Sequence, residues 1–260
     1  MFPSLPFATV PEFALFALVL GRVAGILASI PLFGGKGVPA RVKAGLTFVM
    51  ALMLYPVLRL NVAVPDDSVS LVILVVCETL IGASLGLLSQ MIFTAVEFCG
   101  QLVGMQMGLS IANMFDPAQG RQLSIMSVFQ NLVAMLLFMS TSAHHIFIRA
   151  IVDSYDVIPI GGWHMSGPLI EFLTVTIGNI FILGIKLAAP VMVALLATTV
   201  VLGVMARSFP QMNVFMVSMP LNIGIGFLIL GMSLMVFLHT LQNAFGQIDQ
   251  QIKILFKLLA

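Results

Sequence analysis

Four charged side chains interrupt otherwise apolar runs of the sequence: Arg22, Glu78, Glu97 and Lys186. On insertion scales each costs about 2.5–3.5 kcal/mol at the middle of a membrane helix, so each needs a reason. One reason is an ion or proton pathway. The other is pairing between helices or subunits, such as an Arg–Glu bridge that fixes register. Few carboxylates are available and no dense relay is visible, which favours pairing. Whether Arg22 takes Glu78 or Glu97 is left open by the sequence, and Glu97 lies near enough to the end of its run to reach the interface. His144 and His145 are adjacent and on a helix point about 100° apart, poor geometry for one metal, so a cap or interfacial role fits them better. Cys77 and Cys99 share one apolar stretch and read as small packing residues. The sequence holds no CxxC, no Cys/His cluster of metal spacing, and no HExxH or P-loop pattern. No catalytic residue, metal or cofactor is therefore expected, nor ATP hydrolysis by this chain.

The elements that carry these charges follow from composition. Of 260 residues, 60% are hydrophobic and 8% charged, with mean hydropathy +1.14. Soluble domains carry about 25% charged residues. This chain lacks the charge to cover a water-facing surface and must face lipid, other apolar subunits, or both. Its net charge of +1 and lack of a basic tract give nucleic acid no electrostatic purchase. The first basic residue is Arg22, inside the first apolar run, so that run reads as a retained membrane segment rather than a cleaved signal.

Six runs approach or exceed the roughly 20 apolar residues a membrane helix requires: 13–33, 44–58, 71–98, 123–143, 172–205 and 214–238. They are too long and too uniform for strands. Pro190 lacks an N–H and predicts a kink or break in 172–205, which fits either one long tilted helix or a hairpin of two. The connections hold the turn-formers and most of the charge: 34–43, 61–70, 100–122, 144–168 and 207–213. No repeat, linker or second domain is apparent, so residues 1–260 read as one membrane-embedded domain. Six simple crossings with an outer N-terminus place Lys36, Arg41, Lys43, Arg121 and Arg207 inside, as the positive-inside rule asks. The tail with Lys253 and Lys257 then falls outside, and a hairpin at 172–205 would reverse that.

The segment from Gly108 to Gly120 mixes apolar side chains with turn-formers. Asp116-Pro117 favours a turn and Gly120 permits positive φ. Met114 and Phe115 make a bulky tip able to plug a narrow channel, or simply to pack on neighbouring helices. The 18 methionines include clusters at Met105, Met107 and Met114 and at Met205, Met212, Met216 and Met219. Their flexible side chains suit ordinary packing and also a seal around a moving polypeptide.

Three stretches resemble the FliR family, the R-type subunit of the flagellar protein-export gate. Pro31-Leu-Phe-Gly-Gly-Lys-Gly-Val-Pro39 with Arg41 is similar to the family's first connection. Asp116-Pro-Ala-Gln-Gly120 and 138–145 resemble its central loop and following helix. Arg207-Ser-Phe-Pro-Gln-Met-Asn-Val-Phe215 with Pro220-Leu-Asn-Ile223 is the most specific match. The resemblance covers nearly the whole chain. It implies an all-α membrane protein of stacked helical hairpins with broken apolar helices, assembled with sister export-gate subunits of P and Q type and a B-type switch subunit. It implies a place in the flagellar basal body of the bacterial inner membrane, where unfolded flagellar proteins are passed outward. The implied plug loop contains Gly108, Ile111, Asn113, Met114, Phe115, Asp116, Pro117 and Gly120. The implied subunit interface contains Arg207, Pro210, Gln211, Asn213 and Phe215. Two other readings stay open at this point. One is a secondary transporter or ion conductor with Lys186 and Pro190 at a broken-helix site. The other is a membrane enzyme using His144 and His145.

Overall fold

The computed structural model describes residues 9–34, 38–58, 65, 67–109, 124–162, 166–209, 211 and 213–259, the side chains of Leu32, Phe33 and Phe215 excepted. Among the described residues every regular element is helical: α1 (Val10–Ser29), α2 (Pro31–Gly34), α3 (Ala40–Leu58), α4 (Ser68–Gln106), α5 (Ile125–Ser140), α6 (His144–Val157), α7 (Gly167–Ser208), α8 (Val214–Gly246) and α9 (Ile248–Leu259). Among the described residues five stretches are long and apolar enough to cross a membrane, or six if α5 and α6 count as one broken span.

The helix ends follow local chemistry. Thr9 and Glu12 form a reciprocal capping box at α1, with Pro11 in the first turn. At the other end Ile30 turns extended, which separates α1 from α2 inside the single run expected at 13–33. Lys43 Nζ on α3 donates to the carbonyl of Gly34 at 2.9 Å and so satisfies the end of α2.

Several expectations change. α7 is one helix of 42 residues, about 63 Å long, so the hairpin alternative for 172–205 is not taken. Pro190 frees a single acceptor, the carbonyl of Lys186 four residues back, and helical geometry continues past it. Residues 144–157, expected in a connection, form α6. Its Phe147, Ala150, Ile151, Ser154 and Tyr155 recur at helical spacing and are buried. The tail forms α9, amphipathic in the same way, with Ile248, Ile252, Leu255, Phe256 and Leu259 buried. α4 continues to Gln106, through Gly100 and Gly104 in the expected connection.

The chain clusters into two compact units. The first gathers Met1–Met91, Ser142–Thr176 and Phe245–Ala260; the second gathers Ile92–Thr141 and Ile177–Ala244. In the first, α1 packs on α3 and on α6, and α6 packs on α9. Phe16 of α1 meets Phe48 and Tyr55 of α3 edge-on, with ring centroids 5.5 and 6.1 Å apart. In the second, α4 meets α5 through Phe93 and Phe138 and α7 through Phe98 and Phe181, again edge-on.

Candidate functional site

Two features position the residues that sequence reading singled out: a buried charge cluster in the first unit, and the base of the central loop in the second.

The cluster exists because α1 and α4 approach at backbone distance. A Cβ on Gly25 would collide with the carbonyl of Thr79, and one on Gly82 with the carbonyl of Arg22. Gly21 faces Val75 and Thr79, Gly25 faces Thr79 and Ala83, and Gly86 faces Ile26 and Ser29. Numbers on the two helices rise together, so α1 and α4 run parallel. At this crossing Arg22 Nε donates to Glu78 Oε2 at 2.6 Å, and neither side chain is accessible to solvent. Arg22 Nη1 donates to Ser154 Oγ at 3.0 Å, and Nη2 donates to the carbonyl of Ile158 at 3.2 Å. Ile158 is the C-cap of α6, where a cation meets the negative end of the helix. The guanidinium lies over the Tyr155 ring, 3.9 Å from its centroid. One arginine thus ties three helices together. Glu78 Oε1 and the Tyr155 hydroxyl are buried with no hydrogen-bond partner among the described residues. The open choice between Glu78 and Glu97 is therefore settled for Glu78, and the Arg–Glu bridge is the arrangement found.

The described part of the central segment is its base. α4 ends in a Schellman motif: Leu109 N–H donates to the carbonyl of Gly104, and Gly108 N–H to that of Met105. Gly108 has φ 79°, the left-handed conformation that favours glycine. Across from it Ser124 caps α5, its hydroxyl accepting from Met126 N–H. A Cβ on Gly104 would strike Ser124 Oγ, and one on Gly100 would strike Ser127 Cα. Ser127 Oγ donates to the carbonyl of Glu97 at 3.0 Å. α4 and α5 therefore pack antiparallel, pinned at the end where the central segment joins them. Ile111, Asn113, Met114, Phe115, Asp116, Pro117 and Gly120 lie outside the described residues.

The remaining predicted residues are not brought together. Glu97 is half-buried, with Gln101 Nε2 3.5 Å from its Oε1. Lys186 is exposed on α7. Arg207 is exposed near the end of α7 and Gln211 is exposed in the following turn, while Asn213 caps α8 by accepting from Met216 N–H at 3.4 Å. Pro210 and the side chain of Phe215 lie outside the described residues. Among the described residues no group of His, Cys, Asp and Glu has metal-binding geometry. Cys77 and Cys99 are free thiols. Sequence reading missed Gly21 and Gly25, Gly82 and Gly86, and Gly100 and Gly104. The small-xxx-small spacing that lets apolar helices approach closely was the signal that marks all three pairs.

The profile of a family described as "Bacterial export proteins, family 1" matches residues 13–248. A flagellar biosynthetic protein FliR from Pectobacterium carotovorum subsp. carotovorum is 33% identical over 231 residues, 87% of each chain. This chain belongs to the FliR family of bacterial export proteins. FliR of Bacillus subtilis (strain 168) is 31% identical over 237 residues, covering 90% of this chain and 91% of its own. FliR of Escherichia coli (strain K12) is 34% identical over 205 residues, covering 79% and 78%. As a FliR-family member the chain is an export component and not an enzyme. Its long apolar helices are those of a membrane-embedded protein. The resemblance carried by the three sequence stretches is thereby established at the level of the family.

Proposed function

We propose that this chain is the R-type subunit of the flagellar protein-export gate, seated in the basal body of the bacterial inner membrane. In this reading it acts as one functional unit with sister subunits of P and Q type and with the B-type switch subunit, stacked as helical hairpins around a pore for unfolded flagellar proteins. Family membership supports the reading first. The observation that supports the plug role is the close α4–α5 contact of Gly104 with Ser124 and of Gly100 with Ser127, which flanks the central segment on both sides in sequence. Ile111, Met114 and Phe115 are the apolar groups that close the resting pore, because a dry constriction stops ions by dewetting. Arg207, Gln211 and Asn213 serve as subunit contacts. The transporter alternative needed a broken helix at Lys186 and Pro190, and α7 runs through both as one helix.

Affinity purification of the chain from native membranes, with mass spectrometry of what accompanies it, tests the assembly. Both sister subunits are expected in one stable complex; recovery of the chain alone or as a homo-oligomer refutes the gate. Deleting the central segment tests the plug. Ion leak through the gate is expected to rise, and an unchanged leak with assembly intact removes the plug role.

A further inference from the structure

The two amphipathic helices of the first unit stand at an unexpected level. α6 turns Phe147, Ile151 and Tyr155 inward. Its outer face holds Arg149, Asp153 and Asp156, all exposed, alongside exposed Ile148 and Val157. α9 packs against it and is tied to the same unit by Ser166 Oγ, which donates to the carbonyl of Leu258 at 3.2 Å. The outer face of α9 holds the Asp249–Lys253 ion pair, with its side chains 53% and 69% exposed.

The level of this face is fixed by Arg22. Ser154 and Ile158 bind its guanidinium, so Asp153 and Asp156 lie within about one helical turn of it. Along α1, Arg22 is about 18 Å from Val10 and about 10 Å from Ser29. A bilayer surrounding α1 on every side would therefore place the outer charges of α6 deep in hydrocarbon. Charged groups at that depth face a protein interior or water, and these face outward. α3, on the same α1, differs in carrying no charge over 44–58, where Val49, Met53 and Val57 are exposed and apolar.

We infer that the outer faces of α6 and α9 form one water-facing surface at the level of the buried Arg22–Glu78 pair, and that the C-terminal helix shares its aqueous compartment with residues 144–157. The first unit then meets apolar surroundings along α3 and water along α6 and α9. This rests on packing within the chain and not on the export-gate reading.

The test is thiol labelling in swimming cells, with Cys77 and Cys99 replaced by alanine and single cysteines at R149C, D153C, K253C and M53C. The thiolate is the reactive species and needs water, so a membrane-impermeant maleimide should modify the first three at least about tenfold faster than M53C. All three should react from the same side when intact cells are compared with inverted vesicles. H145C and Gln250→Cys replace any variant that abolishes swimming. If the α6 cysteines react no faster than M53C, the face lies in lipid or under a partner and the inference falls. If K253C reacts from the side opposite to R149C, the shared compartment falls. Either result leaves co-purification with sister subunits untouched, so the two readings fail separately.

Discussion

Removing one member of the Arg22–Glu78 pair should harm the protein more than removing both. Both side chains are inaccessible and joined at 2.6 Å. Replacing Arg22 with methionine strands the Glu78 carboxylate, and replacing Glu78 with leucine strands the guanidinium; either should cost about 3–5 kcal/mol. The double variant R22M/E78L buries no charge. What it loses is the donor to Ser154 Oγ and to the Ile158 carbonyl, a cost of about 1–3 kcal/mol. At about 2–4 °C per kcal/mol for a chain of this size, each single variant should melt about 6–20 °C lower, and the double variant should recover a large part of that. The assay is thermal melting of the purified assembly, with abundance in membranes as a second readout. Single variants that melt with the parent would show that the pair is not buried as described. A double variant whose loss equals the sum of the singles would show that the two charges do not interact.

The α1–α4 crossing makes a second prediction: Gly25→Ala and Gly82→Ala should each lower stability by about 1–3 kcal/mol, because the added methyl meets backbone. Gly45→Ala, with nothing within 4 Å, should be neutral or raise stability by up to about 1 kcal/mol in the same melt. Gly108→Ala should cost about 1–2 kcal/mol at its left-handed φ, and Gly108→Asn should restore part of the loss in swimming-ring diameter and melting temperature. Arg207→Ala, Gln211→Ala and Asn213→Ala should each reduce the yield of co-purified sister subunits. Asn213→Ala should also lose about 1 kcal/mol of helix cap, which Asn213→Asp should keep.

Long apolar runs were legible in the sequence because hydropathy over a membrane-length window depends on no partner. The α6 and α9 helices were not, although Phe147, Ile151 and Tyr155 carry the helical period plainly. Their runs are short and half polar, and a search for membrane spans passes over such stretches. Pro190 left one long helix and a hairpin both open, and the structure takes the long helix, which absorbs the loss of one hydrogen bond. The cost of burying Arg22 was legible, but its partner was not, since choosing Glu78 over Glu97 requires the glycine-mediated contact of two helices. The glycine pairs that make this contact were visible at four-residue spacing all along, and they mean something only once a facing helix is known.

The parallel course of α1 and α4 has a consequence for how the protein is made. Arg22 leaves the ribosome 56 residues ahead of Glu78. At about 5–20 residues per second, that is about 3–11 s during which an inserted apolar segment carries an unmatched cation. Ser154, 132 residues after Arg22, arrives later still. The first helix must therefore be sheltered during biogenesis, by the insertion machinery or by its own neighbour α3, until the fourth helix is complete and the pair can close.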